Sequence, residues 1–586
     1  MKQSLALSVL ALSLLAAPVA ARPAAAKPVP QPSPERLMLG PCSDKRLPAA
    51  ARCGSYAVFE NRTAKKGRKI ALRVVVVPAT GAERASDAVT FFSGGPGESS
   101  VQEAGFYAKQ YKELLEHRDF LFVDYRGTGG SGALDCPETQ NVQGFLDGFL
   151  PVAGVRACRE RLSRRADLSQ YTNDNAMDDI DEVRAALGYD RLNLIGGSYG
   201  TRAELVFLRR HPDRVRTAVL EGTVPTFART PLGFAQGTQK ALDNLVADCL
   251  GDAACRAAFP NLKSEIATVL ARAEKGPVQV ELVDPETAKP LVLHLSRSAV
   301  AQTIRYMLYD SLSALEIPFQ VHQAAAGDFR PLAESAYAWS KSITAMSQGY
   351  FLSVTCAEDV SFIRDAEVSA AVAGTFLGDF RVRQQRTACR EWPAAKLGQA
   401  FLAPVVADAP TLLISGQRDP ATPSADGAAV ARTLRHSKHV IVPFAGHGWE
   451  GLRGTECLDG LVTSVVEKGT VDSLDTSCVA QVTRPPFPTS AGDPEVQLSR
   501  NEIAPLVGTY TSNRGPLVID IAAGRLRATF PGEPPFLLIP TSPTRFHPQG
   551  LPVGYAMVFE KGEGGSATAL TLIKPGEPDT RMARQP

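Results

Sequence analysis

Short apolar runs alternate with amphipathic stretches along the first part of this chain. RKIALRVVVVPA (68–79), DAVTFFSGG (87–95) and RDFLFVDYRG (118–127) are rich in β-branched and aromatic residues and read as strands. SSVQEAGFYAKQYKELLEH (99–117) has helical spacing. NDNAMDDIDEVRAALGYD (173–190) opens with acids that suit a helix N-terminus. LNLIGGSYG (192–200) is a strand and a turn, TRAELVFLRRHPDRV (201–215) a helix, and TAVLEGTVP (217–225) a strand. From about 226 to 400 the pattern becomes mostly helical, with Ala-rich amphipathic segments and no regular strand alternation. Strands resume at APTLLISGQRDP (409–420) and KHVIVPFAGHG (438–448).

Such alternation predicts a mainly parallel sheet with helices on both faces. The helical block before the last two strands predicts a cap over the sheet's carboxyl edge. RPPFPTSAGDPE (484–495) is rich in Pro and small polar residues and reads as a linker. Beyond it, short strands separated by Gly and Pro turns predict a small antiparallel β domain. The expected organisation is a core at 40–225 and 401–483, a cap at 226–400, a linker at 484–496 and a β domain at 497–586.

A chain of 586 residues needs more than one packed unit. Its net charge of +2 argues against a nucleic-acid binder, which carries a clear basic excess. Lys2, the short apolar run LALSVLALSLLAA and the small residues PVAA predict a signal peptide over 1–21, cleaved after Ala21. The run is short for a membrane span. Residues 22–39 read as a Pro/Ala-rich disordered leader. The expectation is an exported protein, periplasmic or extracellular, with no stable membrane span. The ten cysteines fall into neighbouring pairs, which in an exported chain predicts disulfides. Sequential pairing is expected: 42–53, 136–158, 249–255, 356–389 and 457–478. No Cys-x-x-Cys pair and no His at ligand spacing from a Cys speaks for zinc.

Ser198 lies in Gly-x-Ser-x-Gly, between a strand and a helix. Small residues on each side permit a strained turn that lifts a serine hydroxyl clear of the sheet. A serine needs a base, and the base an acid to orient it. In chain order these are Asp419 and His447, each following a strand. The other seven histidines, at 117, 211, 294, 322, 436, 439 and 547, have no such setting and read as surface or packing residues. The oxyanion hole is expected from the N–H of Tyr199 and that of Gly95, with Gly94 the second choice. A phosphate-binding reading of this Gly-rich loop fails, because no Gly-Lys-Ser/Thr follows. No metal or organic cofactor is implied.

SGGPG, DYRGTGGSG, the 171–204 stretch through GGSYGTRAE, SGQRDPATP and AGHG together resemble the prolyl and tripeptidyl aminopeptidase family. Cys356, Cys389-Arg-Glu-Trp-Pro and the segment from Cys457 to Cys478 are similar to its tripeptidyl branch. The resemblance spans roughly residues 40 to 480. It implies an α/β-hydrolase fold with an inserted helical cap, here followed by the small C-terminal antiparallel β domain. It implies a serine exopeptidase with Ser198, Asp419 and His447 as the triad, acting on short peptides with a free N-terminus. It further implies carboxylates for the substrate's α-ammonium, and Glu221, Glu358 and Asp359 are the candidates. Asp124 and Arg126 match the family's DxRGxGxS motif and read as structural support. Two departures stand near the expected substrate: Ser93 in place of a histidine, and Glu98 in place of a glycine. An esterase or amidase on the same triad is the alternative. A binding protein with an inactive site is a third reading.

Overall fold

The structure, a computed structural model, describes residues 37–585 except 345, 491, 513, 514, 532, 533, 576 and 577. The expected signal peptide, and the leader up to residue 36, lie outside the described residues.

The apolar runs become strands in the order they occur. They are β1 (Gly40–Pro41), β2 (Arg52–Phe59), β3 (Lys69–Val77), β4 (Ala88–Phe92), β5 (Phe120–Val123), β6 (Leu192–Gly197) and β7 (Val215–Glu221). A separate hairpin, β8 (Val278–Val283) and β9 (Pro290–Leu295), precedes β10 (Thr411–Gly416) and β11 (Ser437–Val442). The main sheet runs β1-β2-β3-β5-β4-β6-β7-β10-β11. Neighbours from β5 onward are parallel, and those from β1 to β5 antiparallel. Alternate residues leave opposite faces, so Val74 and Val76 enter one core while Val75 and Val77 enter the other. Helices cover both faces, which is why β4, β5 and β10 are buried throughout and mostly apolar.

From β4 the chain steps outward to β5 and then returns to the other side of β4 as β6. The carboxyl ends of β4 and β6 therefore flank a switch in strand order, where open α/β sheets form a crevice. The loop from Ser93 and the turn at Ser198 leave those two ends.

The hairpin β8–β9 lies within the mostly helical block at 226–400, where no regular strand alternation is expected from the sequence. VQVELV alternates polar and apolar, and DPETAK supplies the turn. Its neighbours are the expected helices, among them Phe234–Gly251, Arg297–Met307, Ser311–Ala326, Arg330–Thr344, Gln348–Glu358 and Phe380–Arg390. Strand β2, next to the short edge strand β1, also escaped the sequence reading, since RCGSYAVF is exposed or half-exposed for most of its length.

The C-terminal strands β12 (Gly508–Ser512), β13 (Gly515–Ala522), β14 (Arg525–Thr529), β15 (Phe536–Pro540), β16 (Arg545–Pro548), β17 (Ala556–Lys561), β18 (Ala567–Ile573) and β19 (Thr580–Ala583) form an antiparallel meander. A bridge from Tyr510 to Arg584 returns the last strand to the first, so the sheet nearly closes as a barrel around its own core. It touches the cap through Arg527, which donates to the Glu286 carbonyl (3.0 Å), and Gln549, which donates to Glu334 (2.9 Å).

The disulfides are Cys42–Cys53, Cys136–Cys158, Cys249–Cys255, Cys356–Cys389 and Cys457–Cys478, the sequential set. No helix among the described residues is long and apolar enough to cross a membrane.

Candidate active site

Ser198 is held at φ 56°, ψ −125°, a conformation non-glycine residues avoid. Its neighbours explain how. A side chain at Gly200 would stand 2.0 Å from the Phe92 carbonyl, and one at Gly196 2.2 Å from Glu204. Only glycine lets β6 turn so tightly against β4. The Ser198 N–H donates to the Glu221 carbonyl (2.8 Å), and the Ser198 carbonyl accepts from the Thr201 N–H (3.0 Å). Helix Tyr199–Arg210 starts at the next residue.

Ser198, Gly94, Gly95, Tyr199 and His447 line one cavity of about 930 Å³. Its floor is the sheet's carboxyl edge, and its walls include Phe234, Arg305, Tyr309, Trp339 and Phe351 of the helical block. His447 follows β11. Its Nδ1 lies 2.8 Å from Asp419 Oδ2, and its main-chain N–H donates to the Tyr309 carbonyl (2.7 Å). Asp419 is fixed in turn: Oδ1 accepts the N–H groups of Ala421 and Thr422, both at 2.8 Å. The Thr422 hydroxyl donates to Oδ2 (2.6 Å). The geometry leaves Nδ1 to Asp419 and frees the other ring nitrogen for the cavity. Burial disfavours the imidazolium, but the charge and hydrogen bond of Asp419 outweigh it and hold the His447 pKa above its usual value.

The loop after β4 brings Gly94 beside the serine, since a side chain there would stand 3.5 Å from Ser198 Cβ. The Gly94 N–H faces the Glu98 carboxylate. Gly95, at φ 105°, comes next and also lines the cavity. Ser93 turns inward, its hydroxyl donating to the Glu98 carbonyl (3.1 Å). Asp124 supports this loop by accepting from the Ser99 hydroxyl (2.6 Å) and the Val101 N–H (3.1 Å). Arg126 lies deeper, paired with Asp179 through two hydrogen bonds of 2.7 and 2.8 Å.

The three expected ammonium ligands separate. Glu221 lines the cavity. Glu358 does not: its carboxylate accepts the Asn173 N–H (2.7 Å) and side-chain amide (2.6 Å), capping helix Asn173–Leu187. Asp359 lines the cavity but is engaged by Arg202 (2.7 Å) and the Thr230 N–H (2.9 Å). Two further acids, Glu98 and Glu103, join Glu221 in the wall. Enclosure by protein raises all three carboxyls: Glu221 to about 8, with Asp459 and Glu450 adding repulsion, and Glu103 to about 8, with Glu98 adding. Glu98 moves the same way, restrained by the Gly94 N–H and by His447. Glu98 was visible in the sequence only as a departure from a family pattern. Nothing in the spacing of Glu103 distinguishes it from a helical surface acid.

Residues 87–258 match the family described as alpha/beta hydrolase fold, and residues 374–478 match the TAP-like protein family. The chain is 27% identical to the serine protease Hip1 of Mycobacterium bovis over 74% of this chain and 88% of the relative. It is 30% identical to a tripeptidyl aminopeptidase of Streptomyces lividans over 31% of this chain and 37% of the relative. It is 26% identical to carboxylesterase B of Mycobacterium tuberculosis over 73% of this chain and 86% of the relative. Two stretches of the chain thus carry the α/β-hydrolase and TAP-like patterns, and the chain is a serine hydrolase of α/β-hydrolase fold, similar to a serine protease and to tripeptidyl aminopeptidases.

Proposed function

We propose that this protein is an exported serine exopeptidase that releases N-terminal residues from short peptides. The observation that carries this reading is the group of acids, Glu98, Glu103 and Glu221, in the wall that also holds Ser198. A substrate ammonium entering an enclosed site needs carboxylate partners, and an N-acylated or ester substrate does not. The hydrolase relatives named as a serine protease and a tripeptidyl aminopeptidase support the peptidase reading. The five disulfides support export.

In this proposal Ser198 Oγ attacks the scissile carbonyl while His447 takes its proton and Asp419 stabilises the imidazolium. The N–H groups of Tyr199 and Gly95 hold the developing oxyanion. His447 returns the proton to the leaving amine, and then activates water against the acyl-enzyme. The helical roof admits short or extended chains and excludes folded proteins.

An esterase is the second reading, favoured by the likeness to carboxylesterase B. The test is turnover of matched fluorogenic amides with free or acetylated N-termini, alongside a simple ester. Cleavage of the free-amine amides, blocked by acetylation, is expected. Cleavage of the ester and acetylated amides alone would replace the peptidase with the esterase.

A further inference from the structure

The same cavity contains two buried cations that no acid among the described residues answers. Arg305 is 0% exposed and Arg381 4%. Both line the cavity with Ser198. Among the described residues neither forms an ion pair, whereas Arg202, in the same wall, is met by Asp359. What surrounds the two guanidiniums is mostly aromatic, with Arg381 also donating to Gln385 Oε1 (3.5 Å). Arg381 lies 3.4 Å over the Phe149 ring, and Arg305 4.1 Å over Phe234. Arg305 donates to the Tyr309 hydroxyl (2.6 Å) and Arg381 to the Tyr306 hydroxyl (2.9 Å).

These contacts leave donors over. Arg305 Nε, Arg381 Nε and the amide nitrogen of Gln385 are buried without an acceptor among the described residues. Buried donors are normally satisfied, and a buried charge without a partner is costly. Aromatic faces offset part of that cost but offer no lone pair to an N–H. Burial pushes the Arg381 pKa down, and the neighbouring charge of Arg305 pushes in the same direction. Two like charges held together in this way are stabilised by an anion that arrives from outside.

The place is close to the chemistry. Tyr309 bonds Arg305 through its hydroxyl, and its ring packs 4.9 Å from that of His447. Its carbonyl holds the His447 N–H. We propose that Arg305, Arg381 and Gln385 form a subsite for a carboxylate carried by the substrate. The planar forks of two arginines suit a carboxylate, which accepts several hydrogen bonds at once. The inference rests on the peptidase reading and narrows it: the preferred substrates are short acidic peptides. With Glu98, Glu103 and Glu221 in the same wall, the cavity offers partners for both charges of a zwitterion. The carboxylate comes either from an Asp or Glu side chain or from the peptide's C-terminus.

The experiment uses the mature full-length enzyme and two substrate pairs. One pair is free-amine peptide anilides with Glu or Gln before the scissile bond. The other is free-amine tripeptides ending in carboxylate or carboxamide. In at least one pair, kcat/KM for the acid is expected to exceed that for the amide by about tenfold or more. Arg381→Gln brings that ratio toward one, and Arg381→Lys retains part of it. The pair that shows the preference identifies which carboxylate is bound. Peptides cleaved with no preference for the acid in either pair overturn the subsite while leaving the peptidase intact. If no free-amine peptide is cleaved, glutarate and glutaramide are compared by thermal shift. A rise in Tm with glutarate alone, lost in Arg381→Gln, supports the subsite, and no rise overturns it. The wild-type measurements stand even where the variant does not fold.

Discussion

The main-chain carbonyl of Glu221 accepts the Ser198 N–H at 2.8 Å, while the Glu221 carboxyl lines the cavity beside the same serine. One residue thus braces the strained turn and offers an acid to what binds there. The bracing needs only the backbone, so the two roles separate by substitution at position 221.

Glu221→Gln keeps the backbone bond and removes the carboxyl that can ionise against a bound ammonium. The expected result is a KM for free-amine peptides raised about tenfold or more, with hydrolysis of a simple ester little changed. Stability carries a second signature. The folded carboxyl titrates at about 8 against an ordinary 4.5. The folded state therefore keeps a proton that the unfolded chain releases, so stability is lost as pH rises from about 5 through about 8. Urea midpoints at several pH values are expected to fall more steeply for the wild type than for Glu221→Gln. Parallel curves would show that Glu221 titrates normally.

Ser198 holds a strained backbone conformation. Ser198→Gly is expected to stabilise the fold by about 1–3 kcal/mol, because glycine tolerates φ 56°. Ser198→Ala keeps the side-chain strain and gains nothing comparable. Both are expected to lose kcat/KM by several orders of magnitude. Equal urea midpoints for the glycine and alanine variants would show that the turn is unstrained.

The sequence made the sheet and its serine turn readable because period and spacing are local properties. Gly196, Ser198 and Gly200 announce the turn, and Asp419 and His447 each end an apolar run. The hairpin β8–β9 was hidden inside a helical context, although VQVELV alternates as a half-buried strand does. The acids were less legible. Glu358 and Asp359 are adjacent in sequence, yet one caps a helix through Asn173 and the other pairs with Arg202. Both partners are remote in the chain, so no spacing rule finds them. Arg305 and Arg381 lie on separate helices and meet only in the packed cap.

With His447 as the proposed base, its titration is expected to set the acid limb of activity. Its pKa is held above the usual value by Asp419, so the neutral base is expected to appear at higher pH than for a free imidazole. Asp419→Asn removes the charge that favours the imidazolium. The limb is expected to move to lower pH, while kcat falls by about 10³–10⁴ as the imidazole loses its orientation. A limb that stays in place in the variant would assign the titration to another group.

Cys356–Cys389 ties helix Gln348–Glu358 to helix Phe380–Arg390, and the second of these carries Arg381 and Gln385. The bridge spans 33 residues, a separation for which loop closure contributes about 3–4 kcal/mol. The double variant Cys356→Ala, Cys389→Ala is expected to lose stability of that order in urea, since both helices belong to the buried cap. The consequence for substrate choice is more specific. Ser198, Asp419 and His447 stand on loops of the main sheet, whereas Arg381 is held by the bridged helix. Loosening that helix is therefore expected to lower turnover of acidic peptides more than that of their amides. Equal losses on both would place the effect of the bridge in the whole cap rather than in the arginine pair.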